Sequence, residues 1–174
     1  MNRTLRNILL GATVFTALAL GSMIVIRTAA VAPTPSANGQ GSLDDRKFSF
    51  SGKLLDSGTC CAAQGNATLH NPEFTGANGH SPYQLQIDIK CMNKYGNTVV
   101  FGGLTRRTND PNLVDAVFFT VQDNGEPGKG NDKISRAFFW DDDPTTTGDP
   151  MACAATGAAD FPLETITAGN VQVK

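Results

Sequence analysis

The segment from Tyr83 to Met92 decides the fold, because apolar and polar side chains alternate along it: YQLQIDIKCM. One face of this segment carries Tyr83, Leu85, Ile87, Ile89 and Cys91, and the residues between them occupy the other face. A period of two is typical of a β-strand with one buried and one solvated face, which belongs in an antiparallel sheet. The turn-forming residues Lys94 to Asn97 and the apolar run NTVVFGGL come next, so the chain is predicted to fold back as a hairpin.

Further strands are predicted toward the carboxyl terminus. Residues 116–121 and 134–140 are apolar on both faces in their middles, which favours central strands, and the intervening DNGEPGKGND predicts a long hairpin tip. Weaker candidates are residues 48–54, 67–70 and 169–173. About six to eight short strands without a helical stripe are typical of an all-β fold, either an antiparallel β-sandwich or a partly closed barrel.

Aromatic residues are concentrated on the two central strands, and we expect them to pack against each other if those strands pair. They are Phe118, Phe119, Phe138, Phe139 and Trp140. The alternative for Trp140, which ends its strand, is a platform on which a sugar ring stacks.

The amino terminus predicts a membrane-directing helix, since no charge occurs between Arg6 and Arg27 and residues 8–26 are mostly apolar. About twenty helical residues span the roughly 30 Å of a bilayer core, which favours an uncleaved signal anchor. The basic start and the small residues at 28–32 are instead features of a cleaved signal peptide, so residues 1–30 are assigned to one or the other. Both alternatives place the rest of the chain outside the cytoplasm, and the anchor would make the membrane a partner.

Residues 31–47, VAPTPSANGQGSLDDRK, are rich in proline, glycine and polar side chains and predict a flexible linker. The β-domain is then expected to occupy residues 48–174. The whole chain carries 14 basic and 16 acidic residues, a net charge of −2. Three of the arginines precede residue 32, so the remainder holds 11 bases against 16 acids, a net −5. Neither balance fits a nucleic-acid-binding protein.

The stretch VQDNGEPGKGNDKISRAFF, from Val121, and the ending GNVQV resemble an uncharacterised β-rich domain of secreted or surface bacterial proteins, related to the module called post-COAP-1. The matching pieces are Gly65 to Leu69, Cys91-Met92, Gly96-Asn97, Asp123 to Gly128, Asp132, Ile134, Phe138-Phe139, Cys153 and Gly169 to Val173. The resemblance covers residues 65–174 and implies an extracytoplasmic β-domain with no established catalytic role. The doublet Cys60-Cys61 and the run Asp141 to Asp143 depart from it.

Four cysteines in an exported chain predict disulfides, with three pairings open. A bridge between Cys60 and Cys61 is strained, because adjacent Cα atoms are about 3.8 Å apart and bridged pairs usually need about 4.4 Å. Geometry alone would therefore send each to Cys91 or Cys153. The resemblance implies instead that Cys91 pairs with Cys153, which leaves Cys60 and Cys61 as free thiols, a strained redox pair or a bridge between two chains.

Metal chemistry has one candidate site. Asp123, Asn124, Glu126 and Asp132 offer the oxygen ligands that calcium prefers, with the aspartates at 141–143 nearby in sequence. The same side chains also shape turns by binding backbone N–H groups, and we expect that role and no resident cofactor. A zinc or copper site at Cys60, Cys61, His70 and His80 is disfavoured, because adjacent cysteines on an extended chain point apart.

Catalytic motifs are absent from the sequence: there is no G-x-S-x-G, H-E-x-x-H, P-loop or G-x-G-x-x-G after a strand. We therefore expect a non-enzymatic surface or envelope domain with a binding or structural role, its ligand a glycan or a surface protein. The alternatives are a secreted glycan-active hydrolase, using Trp140 and carboxylates such as Asp88 and Asp115, and a thiol-redox or metal-handling protein built on Cys60-Cys61.

Overall fold

The computed structural model describes residues 33–55, 61–72, 83–110, 113–125, 131–140 and 145–174. The predicted signal peptide or anchor at 1–30 lies outside these residues, and no helix among those described is long and apolar enough to cross a membrane.

Ten antiparallel strands form one sheet within the described part of the chain. Their bounds are β1 Ser36–Leu43, β2 Arg46–Leu54, β3 Ala62–Asn71, β4 Tyr83–Tyr95, β5 Thr98–Thr108, β6 Ala116–Gln122, β7 Lys133–Ser135, β8 Phe138–Phe139, β9 Leu163–Thr165 and β10 Ala168–Val173. The order is β10-β1-β2-β3-β4-β5-β6-β7-β9, and β8 also pairs with β6. The sheet curls into a half-barrel, which confirms the all-β prediction and the partly closed barrel of the two architectures expected.

The concave interior of the half-barrel holds the main core, and three phenylalanine rings join its walls. Phe50 on β2 lies 5.5 Å from Phe101 on β5 and 6.0 Å from Phe119 on β6, measured between ring centroids. Phe101 and Phe119 are 5.0 Å apart, and both are fully buried. The alternating residues Leu85, Ile87 and Ile89 of β4 lie in the same core, as the opening segment predicts.

The predicted strand at 134–140 is wrong in one respect, because it is divided into β7 and β8. The Ser135 hydroxyl accepts the Thr120 N–H at 2.8 Å and donates to the Arg136 carbonyl, so a side chain replaces the backbone ladder at this point. The pairing of the aromatic strands is confirmed, since Phe118 lies opposite Phe138.

The linker prediction for residues 31–47 is also wrong, because β1 runs from Ser36 to Leu43 and pairs with both β2 and β10. The inward positions of β1 include Gly39 and Gly41, whose missing side chains make room for rings from β2. A Cβ on Gly39 would lie 2.8 Å from the Phe50 ring, and one on Gly41 would lie 2.9 Å from the Phe48 ring. Glycine thus occupies positions where an apolar side chain would have revealed the strand.

A bulge between Ile89 and Cys91 reverses the faces of the last residues of β4. Met92 therefore lies in the main core, and Cys91 lies on the outer surface of the sheet, opposite to the assignment made from the alternation. Cys91 there forms a disulfide with Cys153 of the 3-10 helix Pro150–Ala155, with Cα atoms 6.1 Å apart. This bridge, implied by the resemblance, fastens the segment 145–162 over the outer side of β4, β5 and β6.

Candidate functional site

The outer surface of β10, β1, β2, β3 and the first half of β4 has no covering segment within the described residues. Its outward side chains alternate with the core residues and are almost all small or medium, polar and uncharged. We call this surface the polar face; its central residues are Asn38, Gln40, Ser49, Ser51, Asn66, Thr68, Gln86, Asn170 and Gln172.

Strand register aligns these side chains in two rows that run across the sheet. One row is Gln172, Asn38, Ser51, Asn66 and Asp88, and the other is Asn170, Gln40, Ser49, Thr68 and Gln86. With strands about 4.8 Å apart, each row is about 19 Å long. A shallow depression of about 400 Å³ lies over the parts of both rows on β10, β1 and β2 and reaches Asn66 on β3. The polar face thus offers an extended array of amide and hydroxyl donors and acceptors.

Cationic side chains flank one end of the polar face, which we call the basic end. Lys47, His70 and Gln84 are direct neighbours on β2, β3 and β4, and Arg107 on β5 lies opposite Gln86. Two further depressions of about 420 and 280 Å³ lie here and share Gln84. No acidic side chain is among the described residues that line them.

Trp140, the predicted sugar platform, is not brought to the polar face. Its side chain is 53% exposed and packs on Phe118 with ring centroids 6.0 Å apart, beside the covered part of the sheet. Phe161 from the covering segment stacks on Phe118 and contacts Phe138, so these rings form a small outer cluster. Trp140 lines none of the three depressions.

The predicted calcium ligands Asp123 and Asp132 hold the half-barrel together. We call the gap between the edge strand β10 and the β6–β7 connection the seam. The Asp132 carboxylate, 5% exposed, accepts the N–H groups of Val171 on β10 and Asn124, each at 2.8 Å. Asp123 accepts those of Val173, at 2.9 Å, and Gly125, at 3.0 Å. All four carboxylate oxygens are therefore engaged by backbone donors.

Of the other predicted calcium ligands, Asn124 donates its amide to Gln122 and Asn131, and Glu126 lies outside the described residues, as do the aspartates at 141–143. No group of three or more histidine, cysteine or acidic side chains among the described residues is arranged to hold a metal ion. The observed geometry is that of a turn and strand connector.

At the opposite end of the seam, Glu164 on β9 joins two arginines. Its carboxylate accepts from Arg46 Nη2 at 2.7 Å and from Arg136 Nε at 3.2 Å. Burial acts to raise the pKa of Glu164, but the hydrogen bonds and charges of Arg46 and Arg136 outweigh it, so the pKa is lowered. The ion pair links the start of β2 to β9.

The two carboxylates of the hydrolase alternative occupy different environments. Asp88 is on the outer face of β4 and pairs with Arg106 at 3.5 Å. Asp115 is 4% exposed, and its Oδ1 accepts the N–H groups of Ala116 and Gly148, which holds the covering segment against β6. Nothing in this geometry presents the two carboxylates to a common substrate.

The cysteine doublet is described only in part. Cys61 is disulfide-bonded, so the free-thiol alternative is wrong for it, while Cys60 lies outside the described residues. Cys61 is buried beside Cys91 and Cys153 in the outer cluster and has a positive φ of 73°. Of the two histidines in the disfavoured zinc or copper site, His70 is on the polar face, and His80 lies outside the described residues.

The polar face is not among the sites predicted from the sequence, although its signal is present there. Most outward positions of β1 to β4 are filled by amides and hydroxyls, and few of them by charged side chains. Comparisons of the chain with protein-family models, with curated proteins and with solved structures find no match.

Proposed function

We propose that this chain is a non-catalytic, extracytoplasmic binding domain whose polar face holds an extended polysaccharide. The observation that carries the proposal is the pair of polar rows, which cross five strands and consist of neutral amide and hydroxyl groups except for Asp88 at the end of one row. Such groups both donate and accept hydrogen bonds, as the hydroxyl groups of sugars do. The Cys91–Cys153 disulfide supports the compartment, since such bonds persist in oxidising surroundings.

The shape of the site favours a polymer over a small molecule. Small-molecule pockets are enclosed, largely apolar concavities, whereas the depression over the two rows is shallow and lined mainly by polar side chains. A ligand on such a surface gains little from any single contact and needs many of them. A chain of sugars laid along a row about 19 Å long supplies that repetition.

The positions of the carboxylates favour binding over hydrolysis. Glycosidases place two carboxyl groups about 5 to 9.5 Å apart across the bond that they cleave. On this chain Asp115 is buried under backbone donors and Asp88 is paired with Arg106. If residues 8–26 are retained as an anchor, the domain would present its ligand at the membrane surface.

The proposal is tested by replacing Asn66 and Gln86 with leucine in the full chain. Both side chains are on the outer face, so the variants should keep the wild-type melting temperature while retention in affinity electrophoresis on soluble polysaccharides is lost. Gln64→Leu, exposed on the same strand as Asn66 but in neither polar row, is the matched control and should be retained as the wild type is. Retention that is unchanged by Asn66→Leu and Gln86→Leu, or absent across neutral and acidic polysaccharides, would overturn the proposal.

A further inference from the structure

We propose that the basic end recognises the carboxylate groups of an acidic polysaccharide, an inference that rests on the function proposed above and names its ligand class. The site consists of Lys47 and Arg107 with His70, Gln84 and Gln86 between them.

The charge of this surface is opposite to that of the domain that carries it. Residues beyond 32 have a net charge of −5, yet the described charged side chains of the polar face and of the adjoining end of β5 are Lys47, Lys53, Asp88, Arg106 and Arg107. Asp88 is already paired with Arg106. Asp115 and Asp132, two of the acids that make the domain negative, are buried and accept backbone N–H groups. Among the described residues, the outward side chains of β2, β4 and β5 thus carry more cations than carboxylates, while the exposed Asp44 and Asp45 lie in the turn between β1 and β2, before Lys47.

The two cations of the basic end have no carboxylate partner among the described residues. Arg107 has a planar guanidinium that fits a carboxylate through two parallel hydrogen bonds, and Lys47 supplies a second, more mobile charge. Between them the buried Nδ1 of His70 has no hydrogen-bond partner within the described part of the chain. The Gln84 backbone N–H donates to Asn109 Oδ1 at 2.8 Å, and the Gln84 side chain is exposed.

The spacing of the cations favours a polysaccharide over a lipid surface. Lys47 and Arg107 are three strands apart, about 14 Å across the sheet, and the positions between them carry the hydrogen-bonding groups of His70, Gln84 and Gln86. Anionic membranes are bound by contiguous clusters of about four to eight basic residues. Charges separated by amides and hydroxyls match a polymer in which carboxylates alternate with sugar hydroxyl groups.

The test compares acidic polymers with their own neutral forms. Full-length protein is titrated with polygalacturonate, alginate and hyaluronan, and with the methyl ester of each, by isothermal calorimetry in the presence of a chelator. We expect at least one acid form to bind about tenfold more weakly to Lys47→Gln and to Arg107→Gln, and about 100-fold more weakly to the double variant. Its ester should bind the wild type no better than the acid form binds the double variant. Added salt should weaken wild-type binding more than that of the double variant.

Lys53→Gln is the matched control, because Lys53 is exposed on the same face of β2 at its other end. If Lys47 and Arg107 act by direct contact with the polymer carboxylates, and not through the overall charge of the surface, Lys53→Gln should change the affinity by less than about twofold. Equal binding of acid and ester forms would overturn this inference and leave the polysaccharide-binding function standing. If none of the six polymers binds, the inference is overturned. If no neutral polysaccharide binds either, the proposed polysaccharide-binding function is overturned as well. If the protein binds phosphatidylglycerol vesicles through Lys47 and Arg107 and binds none of the polymers, the ligand is an anionic lipid and the inference is overturned.

Discussion

Removing the Asp132 carboxylate should open the seam and destabilise the domain far more than the loss of an exposed carboxylate would. The side chain is 5% exposed and accepts two backbone N–H groups, from Val171 and Asn124, at 2.8 Å each. Asp132→Ala leaves the buried Val171 N–H without a partner and removes the acceptor of the part-buried Asn124 N–H, and an unpaired buried donor costs about 1 to 3 kcal/mol. We therefore expect the free energy of unfolding to fall by about 2 to 5 kcal/mol. That is a large share of the roughly 5 to 15 kcal/mol typical of a whole domain.

The assay is equilibrium urea unfolding with disulfides intact, followed by far-ultraviolet circular dichroism. Asp149→Ala is the matched control, since that exposed carboxylate accepts one backbone N–H, from Met151 at the start of the 3-10 helix. Its loss should cost about 1 kcal/mol. If Asp132→Ala is no more destabilising than Asp149→Ala, the carboxylate does not hold β10 at the seam and the reasoning is refuted.

Three further outcomes are expected. Phe119→Ala should lower the free energy of unfolding by about 3 to 5 kcal/mol, because the ring is fully buried between Phe50 and Phe101; an unchanged urea midpoint would refute its place in the core. The lowered pKa of Glu164 means that its ionised form stabilises the fold above the unfolded-state pKa of about 4.3, and that this contribution is lost as pH falls through the folded-state pKa. Glu164→Gln should therefore flatten the decline of the melting temperature in acid, and a decline identical to that of the wild type would contradict the ion pair. A chelator should leave the melting temperature unchanged, since the oxygens of Asp123 and Asp132 accept hydrogen bonds from backbone N–H groups. A melting temperature that rises when calcium is added would instead support the calcium site.

The strands that the sequence predicts well are those whose inward positions are filled by large apolar side chains. β4, β5 and β6 show this pattern, and their hairpin connections carry turn residues. β1 could not be found in this way, because Gly39 and Gly41 occupy inward positions that rings from the neighbouring strand fill. Side chains of β2 fill the core next to β1, so the sequence of β1 does not show the alternation of apolar and polar residues that indicates a strand.

Two other features could not be predicted from the sequence for a different reason: which faces of β4 carry Cys91 and Met92, and what Asp132 binds. A bulge shifts the register by one residue and exchanges the two faces of a strand, and the alternation of side chains carries no sign of it. Asp132 meets Val171 across 39 residues, so its partner is set by the curl of the sheet. The local sequence around Asp132 indicates only a turn. The polar face was visible residue by residue, but its continuity depends on a strand order that places β10 beside β1.

Whether the polar face is the binding surface can be read from backbone amide chemical shifts during titration with an acidic oligosaccharide. We expect the shifts to be concentrated on β1 to β4, at residues such as Ser49, Thr68 and Gln86, and to weaken in the Lys47→Gln, Arg107→Gln double variant. Shifts confined to the covering segment 145–162 and the surroundings of Trp140 would contradict the account, because they would place the ligand on the opposite part of the outer surface.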